Sequence, residues 1–228
     1  MEINNENILI LGDHHGNYFN LARQIKESNL QGSALIHVGD GGEGCPNFKT
    51  ENDFNRLNAL FKDLDCVYYS IRGNHSNPLY FKGDSRIDLS NFKLLEDYTV
   101  AKINGEKWQF VGGAVSVDRC RRTLDWDYWA DEAFILDLDK AVNCDVLVTH
   151  TTPTWNGPTG KDKIEWYCNQ DALLWDELVK ERNDIDALIN ACFPRKHFCG
   201  HMHNYSYMDL GEIESRIIEM DGIYQYQK

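Results

Sequence analysis

The chain alternates short apolar runs with longer stretches in which apolar residues recur every three or four positions. Residues 8–11 ("ILIL"), 34–38 ("ALIHV") and 66–71 ("CVYYSI") each read as a buried strand. Between the first two, Tyr18, Leu21, Ala22 and Ile25 share one helical face. Between the second and third, Phe54, Leu57, Leu60, Phe61 and Leu64 do the same, with Thr50 placed to cap the helix. From 76 to 130 the rhythm breaks into scattered turn residues, although "INGEKWQFVGGAV" predicts a tight turn feeding a further strand. A helix is expected from about Asp131, carrying Phe134, Ile135 and Leu138, and then the strand "VLVT" at 146–149. Residues 151–168, with Pro153 and Pro158, read as loop, and a helix follows with Leu173, Leu174, Leu178 and Val179. The strand "KHFC" at 196–199 and the strands "YSYMDL" and "SRIIEM", joined around Gly211, complete the pattern. The layout is α/β with a mixed sheet or two stacked sheets. A single domain over 1–228 is expected, with an elaborated segment around 76–130.

Composition adds the setting. At 42% hydrophobic and 26% charged the chain resembles an ordinary globular protein with a real core. No apolar run approaches the ~20 residues that a membrane span requires, and "MEINNENILILGD" has the wrong polarity for a signal peptide. The seven cysteines form no C-x-x-C pair, which points to reduced thiols and a cytoplasmic location. A net charge of −13 argues against long nucleic acids and anionic membranes as partners. It leaves room for a small anionic substrate in a locally basic pocket. Nothing in the sequence bears on the oligomeric state.

The chemistry lies in the residues just after each apolar run. After 8–11 come Gly12, Asp13, His14 and His15; after 34–38, Gly39 and Asp40; after 66–71, Gly73, Asn74 and His75. After 146–149 comes His150, and after 196–199 come Gly200, His201, Met202 and His203. In α/β sheets, ligands gather beyond the carboxyl ends of the strands. Taken singly, Asp13 could cap a helix, Asn74 could form a turn and His150 could be a structural histidine. Five turns repeating the same donor types in the same topological place point instead to a shared site: Asp13, His15, Asp40, Asn74, His150, His201 and His203. Oxygen and imidazole donors without thiolate suit Mn, Fe or Zn. Seven donors are too many for one tetrahedral ion and fit two ions sharing a carboxylate. Two cations roughly 3.5–4 Å apart can hold a hydroxide between them and clamp an in-line displacement at phosphorus.

These motifs, D-x-H, G-D, G-N-H, a lone H and G-H-x-H in that order, resemble the calcineurin-like metallophosphoesterase superfamily over nearly the whole chain. The resemblance implies a four-layer αββα sandwich of two mixed β-sheets flanked by helices. It implies Asp40 as a bridge, with Asp13, His15 and His203 around one ion and Asn74, His150 and His201 around the other. It implies two divalent or trivalent metal ions, hydrolysis of a phosphomonoester or phosphodiester by metal-bound hydroxide, and His75 as general acid toward the leaving oxygen. The chain departs from the pattern at Ser76, where the family carries an acidic residue. Glu43 stands where phosphoprotein phosphatases carry an aspartate that orients the histidine, and Gly44 replaces their phosphate-gripping arginine.

A phosphate grip is then sought in "GGAVSVDRCRRTLDWDYW" (112–129), which resembles a segment of bacterial and phage phosphoesterases. Arg119, Arg121 and Arg122 are candidates, since a guanidinium can hold two phosphate oxygens. The alternative is that they pair with Asp118, Asp125 and Asp127. Trp126, Tyr128 and Trp129 could stack on a nucleobase or simply be core. Two functional alternatives stand beside the hydrolase. One is a binding module without turnover, favoured only by Ser76; the other is a nuclease on short oligonucleotides, favoured only by the arginine cluster.

Overall fold

The computed structural model describes residues 1–45, 48–157 and 161–228, with Lys163 described by its backbone alone. In chain order the strands are β1 (Glu2–Ile3), β2 (Ile8–Leu11), β3 (Ala34–His37), β4 (Val67–Ser70), β5 (Phe92–Leu94) and β6 (Thr99–Ile103). They continue as β7 (Glu106–Val111), β8 (Val146–Thr149), β9 (Lys196–Cys199), β10 (Ser206–Asp209), β11 (Glu214–Ile217) and β12 (Ile223–Gln225). The helices are α1 (Tyr18–Glu27), α2 (Glu51–Asp63), α3 (Glu165–Gln170) and α4 (Leu174–Cys192).

Two mixed sheets result. One has five strands in the order β12-β2-β3-β4-β5, parallel except for β12; the other has seven, β1-β6-β7-β8-β9-β11-β10. Strand alternation explains the layering, because successive side chains leave opposite faces of a sheet. Ile8, Ile10, Ile36 and Tyr69 face the other sheet, where Trp108, Phe110, Val146, Val148 and Phe198 meet them in one apolar layer. Leu9, Leu11, Leu35 and Tyr68 face outward onto α1 and α2. On the far side, Val111 and Leu147 pack under Ile185, Leu188 and Ile189 of α4. The fold is therefore the expected αββα sandwich.

The predicted strands and helices at 8–11, 18–25, 34–38, 50–64, 66–71, 146–149 and 196–199 are present within a residue or two. Thr50 caps α2 through a reciprocal pair, its hydroxyl accepting from the Asp53 N–H and the Asp53 carboxylate accepting from its own. The turn before β7 uses Asn104 and Gly105, both at positive φ, to close the β6–β7 hairpin.

Two expectations fail. The helix from Asp131 is absent; residues 131–138 are turns, a bend and irregular chain. Phe134 is buried while Ile135 and Leu138 are 62% and 54% exposed, so no single apolar face exists to dock. The carbonyls that would open such a helix are also occupied. The buried Arg72 guanidinium donates to those of Asp131, Glu132 and Ala133. The stretch 151–168, expected to be loop, carries a 3-10 turn at Lys161–Ile164 and the start of α3. Pro158 lies outside the described residues.

Candidate metal centre

The carboxyl ends of β2, β3 and β4 from one sheet and of β8 and β9 from the other converge on one crevice. Asp13 is fully buried, and both its carboxylate oxygens accept from the His201 N–H, at 3.2 and 2.9 Å. The His203 Nε2 lies 3.4 Å from Asp13 Oδ2 and 3.0 Å from the Nε2 of His15. On the other side, the His150 Nε2 lies 3.4 Å from Asp40 Oδ1 and 3.1 Å from Asn74 Oδ1. Donor atoms of Asp13, His15, Asp40 and His203 all fall within 4.8 Å of one another, as do those of Asp40, His150 and His201, so Asp40 belongs to both clusters.

Neighbouring groups fix these orientations. His150 Nδ1 donates to the Val38 carbonyl at 2.8 Å, which leaves Nε2 unprotonated toward the site in the neutral ring. The Asn74 amide donates to Ser116 Oγ at 3.0 Å, which turns its carbonyl oxygen inward. The Asp40 Oδ1 accepts from the His75 N–H at 2.7 Å. The glycines of the motifs have a steric reason. A Cβ on Gly73 would sit 2.1 Å from Asp40 Oδ1, and one on Gly200 would sit 2.1 Å from Asp13 Oδ1.

The electrostatics suit cations. Asp40 Oδ2 is buried without a hydrogen-bond partner, a cost that a bonded cation would remove. Burial opposes charge on both Asp40 and His150, yet their mutual attraction wins. It holds Asp40 well below the usual carboxylate range and raises His150 to about 9. A proton shared by that pair must leave when a metal binds. Ring nitrogens 3.0 Å apart in His15 and His203 can both bond one ion at the ~2.1 Å typical of metal–imidazole contacts. The residues present therefore fit metal ions.

The other predicted residues divide. His75 borders the site, with Nε2 4.0 Å from Asp40 Oδ2. Burial lowers its ring to about 4. Arg122 is brought to it, the guanidinium donating to His75 Nε2 at 2.6 Å while pairing with Asp118. Arg119 and Arg121 are not brought in. Arg119 is held by Asp171 and Glu177, and Arg121 lies over the Trp166 ring. Glu43 makes no hydrogen bond to the His75 ring. Its oxygens accept from Tyr18 OH and Ser76 Oγ, so the hydroxyl at the departing position 76 anchors a carboxylate supplied from position 43. Burial pushes Glu43 up to about 7.

Beside Asn74 and His75 opens a cavity of about 510 Å³ that also meets Asp40, His201 and His203. Its far side comes from α3 and α4, including Tyr167 and Trp175, which the sequence pattern did not single out. The signal for Trp175 was the apolar start of α4 at Leu174, ahead of the turns that pack on the sheet; Tyr167 on α3 had none. Of the aromatic trio, Trp129 is core and Trp126 is covered by Lys49, and neither lines this cavity.

The model of the calcineurin-like phosphoesterase family matches residues 6–205. The chain belongs to that family. Calcineurin-like phosphoesterases depend on metal, in keeping with the two clusters. Among solved structures, TT1561 of Thermus thermophilus is 11% identical with a TM-score of 0.52, over 95% of this chain and 90% of that one. A proposed 5'-nucleotidase from Staphylococcus aureus is 13% identical with a TM-score of 0.52, over 96% of this chain and 50% of that one. The chain thus spans half the length of the second protein, and both likenesses speak for the calcineurin-like phosphoesterase fold alone. No curated protein sequence matches the chain.

Proposed function

We propose that this calcineurin-like phosphoesterase works with two metal ions and hydrolyses a small phosphomonoester or phosphodiester, nucleotide-like esters included. The observation that carries the reading is the single carboxylate of Asp40 common to both donor clusters. Asp13, His15, Asp40 and His203 would hold one cation, and Asp40, Asn74, His150 and His201 the other. The donor set suits Mn, Fe or Zn. Bound there, such ions supply Lewis acidity and an activated water.

The remaining work falls to the chain. Arg122 can only donate, so in the structure His75 Nε2 accepts and its ring is neutral. An arriving phosphate competes for that guanidinium, which grips two of its oxygens. His75 Nε2, released from Arg122, would first take up a proton from solvent beside the anionic ester and then pass it to the departing oxygen, a donation worth ~100- to 10,000-fold. Arg119 and Arg121 are turned away, which leaves the nuclease alternative without its basic cluster. Ser76, the one argument for a module without turnover, is accounted for by its bond to Glu43.

The test is Asp40→Asn, followed by metal analysis and by turnover of chromogenic mono- and diesters with Mn. The variant is expected to lose bound metal and at least about 100-fold in kcat/KM, the scale set by removing one electrostatic stabiliser. Full activity in a folded Asp40→Asn protein overturns the proposal. So does native protein that binds metal and turns over no ester.

A further inference from the structure

We infer that the esterifying group of the substrate is an aromatic ring, received in the cavity walled by Tyr167 and Trp175. The inference rests on the proposed phosphoesterase reading for which end of the substrate enters there. At about 510 Å³ the cavity is of the size of small-molecule sites. Asp40, Asn74, His75, His201 and His203 bring it to the donor clusters. Val117, Ile164, Tyr167, Trp175, Leu178 and Met202 give it an apolar lining, in which Thr154 and Arg182 are polar members.

The origin of this apolar lining is legible in α4. Its later turns bury Ile185, Leu188 and Ile189 against the seven-stranded sheet. The first turns of the same helix present Trp175 and Leu178 to the cavity instead. Apolar surface that the fold does not cover is left for a ligand. Lys161 sits over the Trp175 ring at 5.6 Å and helps to hold the indole in place.

The polar groups at the cavity are largely engaged. Asp118 is paired with Arg122, and Arg182 donates to the carbonyls of Pro153, Thr154 and Asn156. Asp40, His201 and His203 belong to the donor clusters, and His75 accepts from Arg122. A polyhydroxylated sugar would meet few hydrogen-bonding groups. A flat ring gains apolar burial and stacking on Tyr167 and Trp175 together. His75 and Arg122 stand at the border between the donor clusters and this chamber, so an oxygen leaving phosphorus on the side of His75 carries its ring into it.

The experiment is calorimetric binding of methylphosphonate and benzylphosphonate, neither of which can be hydrolysed at an ester bond, to the full chain equilibrated with Mn. Benzylphosphonate is expected to bind about 30-fold more tightly, which corresponds to about 2 kcal/mol. Trp175→Ala and Tyr167→Ala should each bring the preference below about 5-fold, while Trp175→Phe retains most of it, since stacking needs only the ring face. Trp166→Ala, at a side chain 55% exposed on the solvent side of α3, should leave the preference unchanged. Equal binding of the two phosphonates, or a preference indifferent to Trp175→Ala, overturns the inference. Turnover of esters without the preference removes the chamber and keeps the phosphoesterase. The preference without turnover of any ester does the reverse.

Discussion

His15, Asp40, His201 and His203 all have φ between 45° and 66°, a region that side-chain-bearing residues enter rarely. Such strain, on the order of 1–3 kcal/mol per residue, persists where the surroundings over-determine it and is common at functional sites. Here the surroundings are the hydrogen bonds that aim each donor, and these are open to test. Ser116→Ala frees the Asn74 amide to rotate while leaving every proposed ligand in the chain. It should lower kcat/KM by about 10- to 100-fold with an unchanged melting temperature, the range found for partners of metal ligands. The two outer arginines should separate in the same assay. Arg122→Ala should raise KM strongly, whereas Arg119→Ala should lower the melting temperature with KM little altered, since Arg119 ties the 119–121 turn to Asp171 and Glu177. The convergence of Asp13, His15, Asp40, Asn74, His150, His201 and His203 on one crevice was legible because each follows an apolar run and a sheet has few places to send its strand ends. Ser116 and the Val38 carbonyl were not, because their contribution is an angle and nothing in residue order encodes it. Arg119 and Arg122 look alike in sequence and differ in the neighbours the 3-10 turn at Arg119–Arg121 gives them, Asp171 and Glu177 for Arg119, Asp118 and the His75 ring for Arg122.

At the scale of elements, α4 does two jobs. Its Glu181 is buried, and one carboxylate oxygen accepts from the Val115 and Phe134 N–H groups, clamping the loop that carries Ser116. Burial raises this carboxyl from the usual 4.5 to about 7. The folded state therefore holds a proton that the unfolded chain has released. The resulting stability is complete below about pH 4.5 and is lost as pH climbs through 7. Between pH 5 and pH 8 this contribution is lost, so Glu181→Gln should make the melting temperature of the variant rise relative to the native protein as pH increases, because the carboxamide oxygen can still accept both bonds. An identical slope in the variant would contradict the assignment. Strands buried on both faces, such as β2, β3 and β8, were legible from their apolar runs alone. The missing helix after Asp131 shows the opposite case. Its fate is decided by Arg72, about sixty residues earlier, whose guanidinium claims the carbonyls that a first helical turn would need. Strands β1, β5 and β12 are two or three residues long and take their conformation from neighbours rather than from any pattern of their own.

For the molecule as a whole, the net charge of −13 and the crevice of clustered donors act in the same direction. Cations are drawn in, and ligands that bind only the folded state stabilise it by mass action. Mn added at about 100 times its dissociation constant should stabilise the fold by about 2.7 kcal/mol, visible as a rise of a few degrees in melting temperature that a chelator reverses. Asp40→Asn should abolish that rise. Among the described residues no helix is long and apolar enough to cross a membrane. The αββα layering could be anticipated from the alternation of runs together with the motif order, but the cavity could not, since it exists only where α3 and α4 overhang the strand ends. That overhang separates two inheritances. The donors sit on loops at the strand ends of the two sheets, whereas Tyr167, Trp175 and Leu178 belong to a peripheral helical pair. On the proposed reading, exchanging Trp175 or Leu178 should alter which ester is accepted while the donor clusters keep their metal.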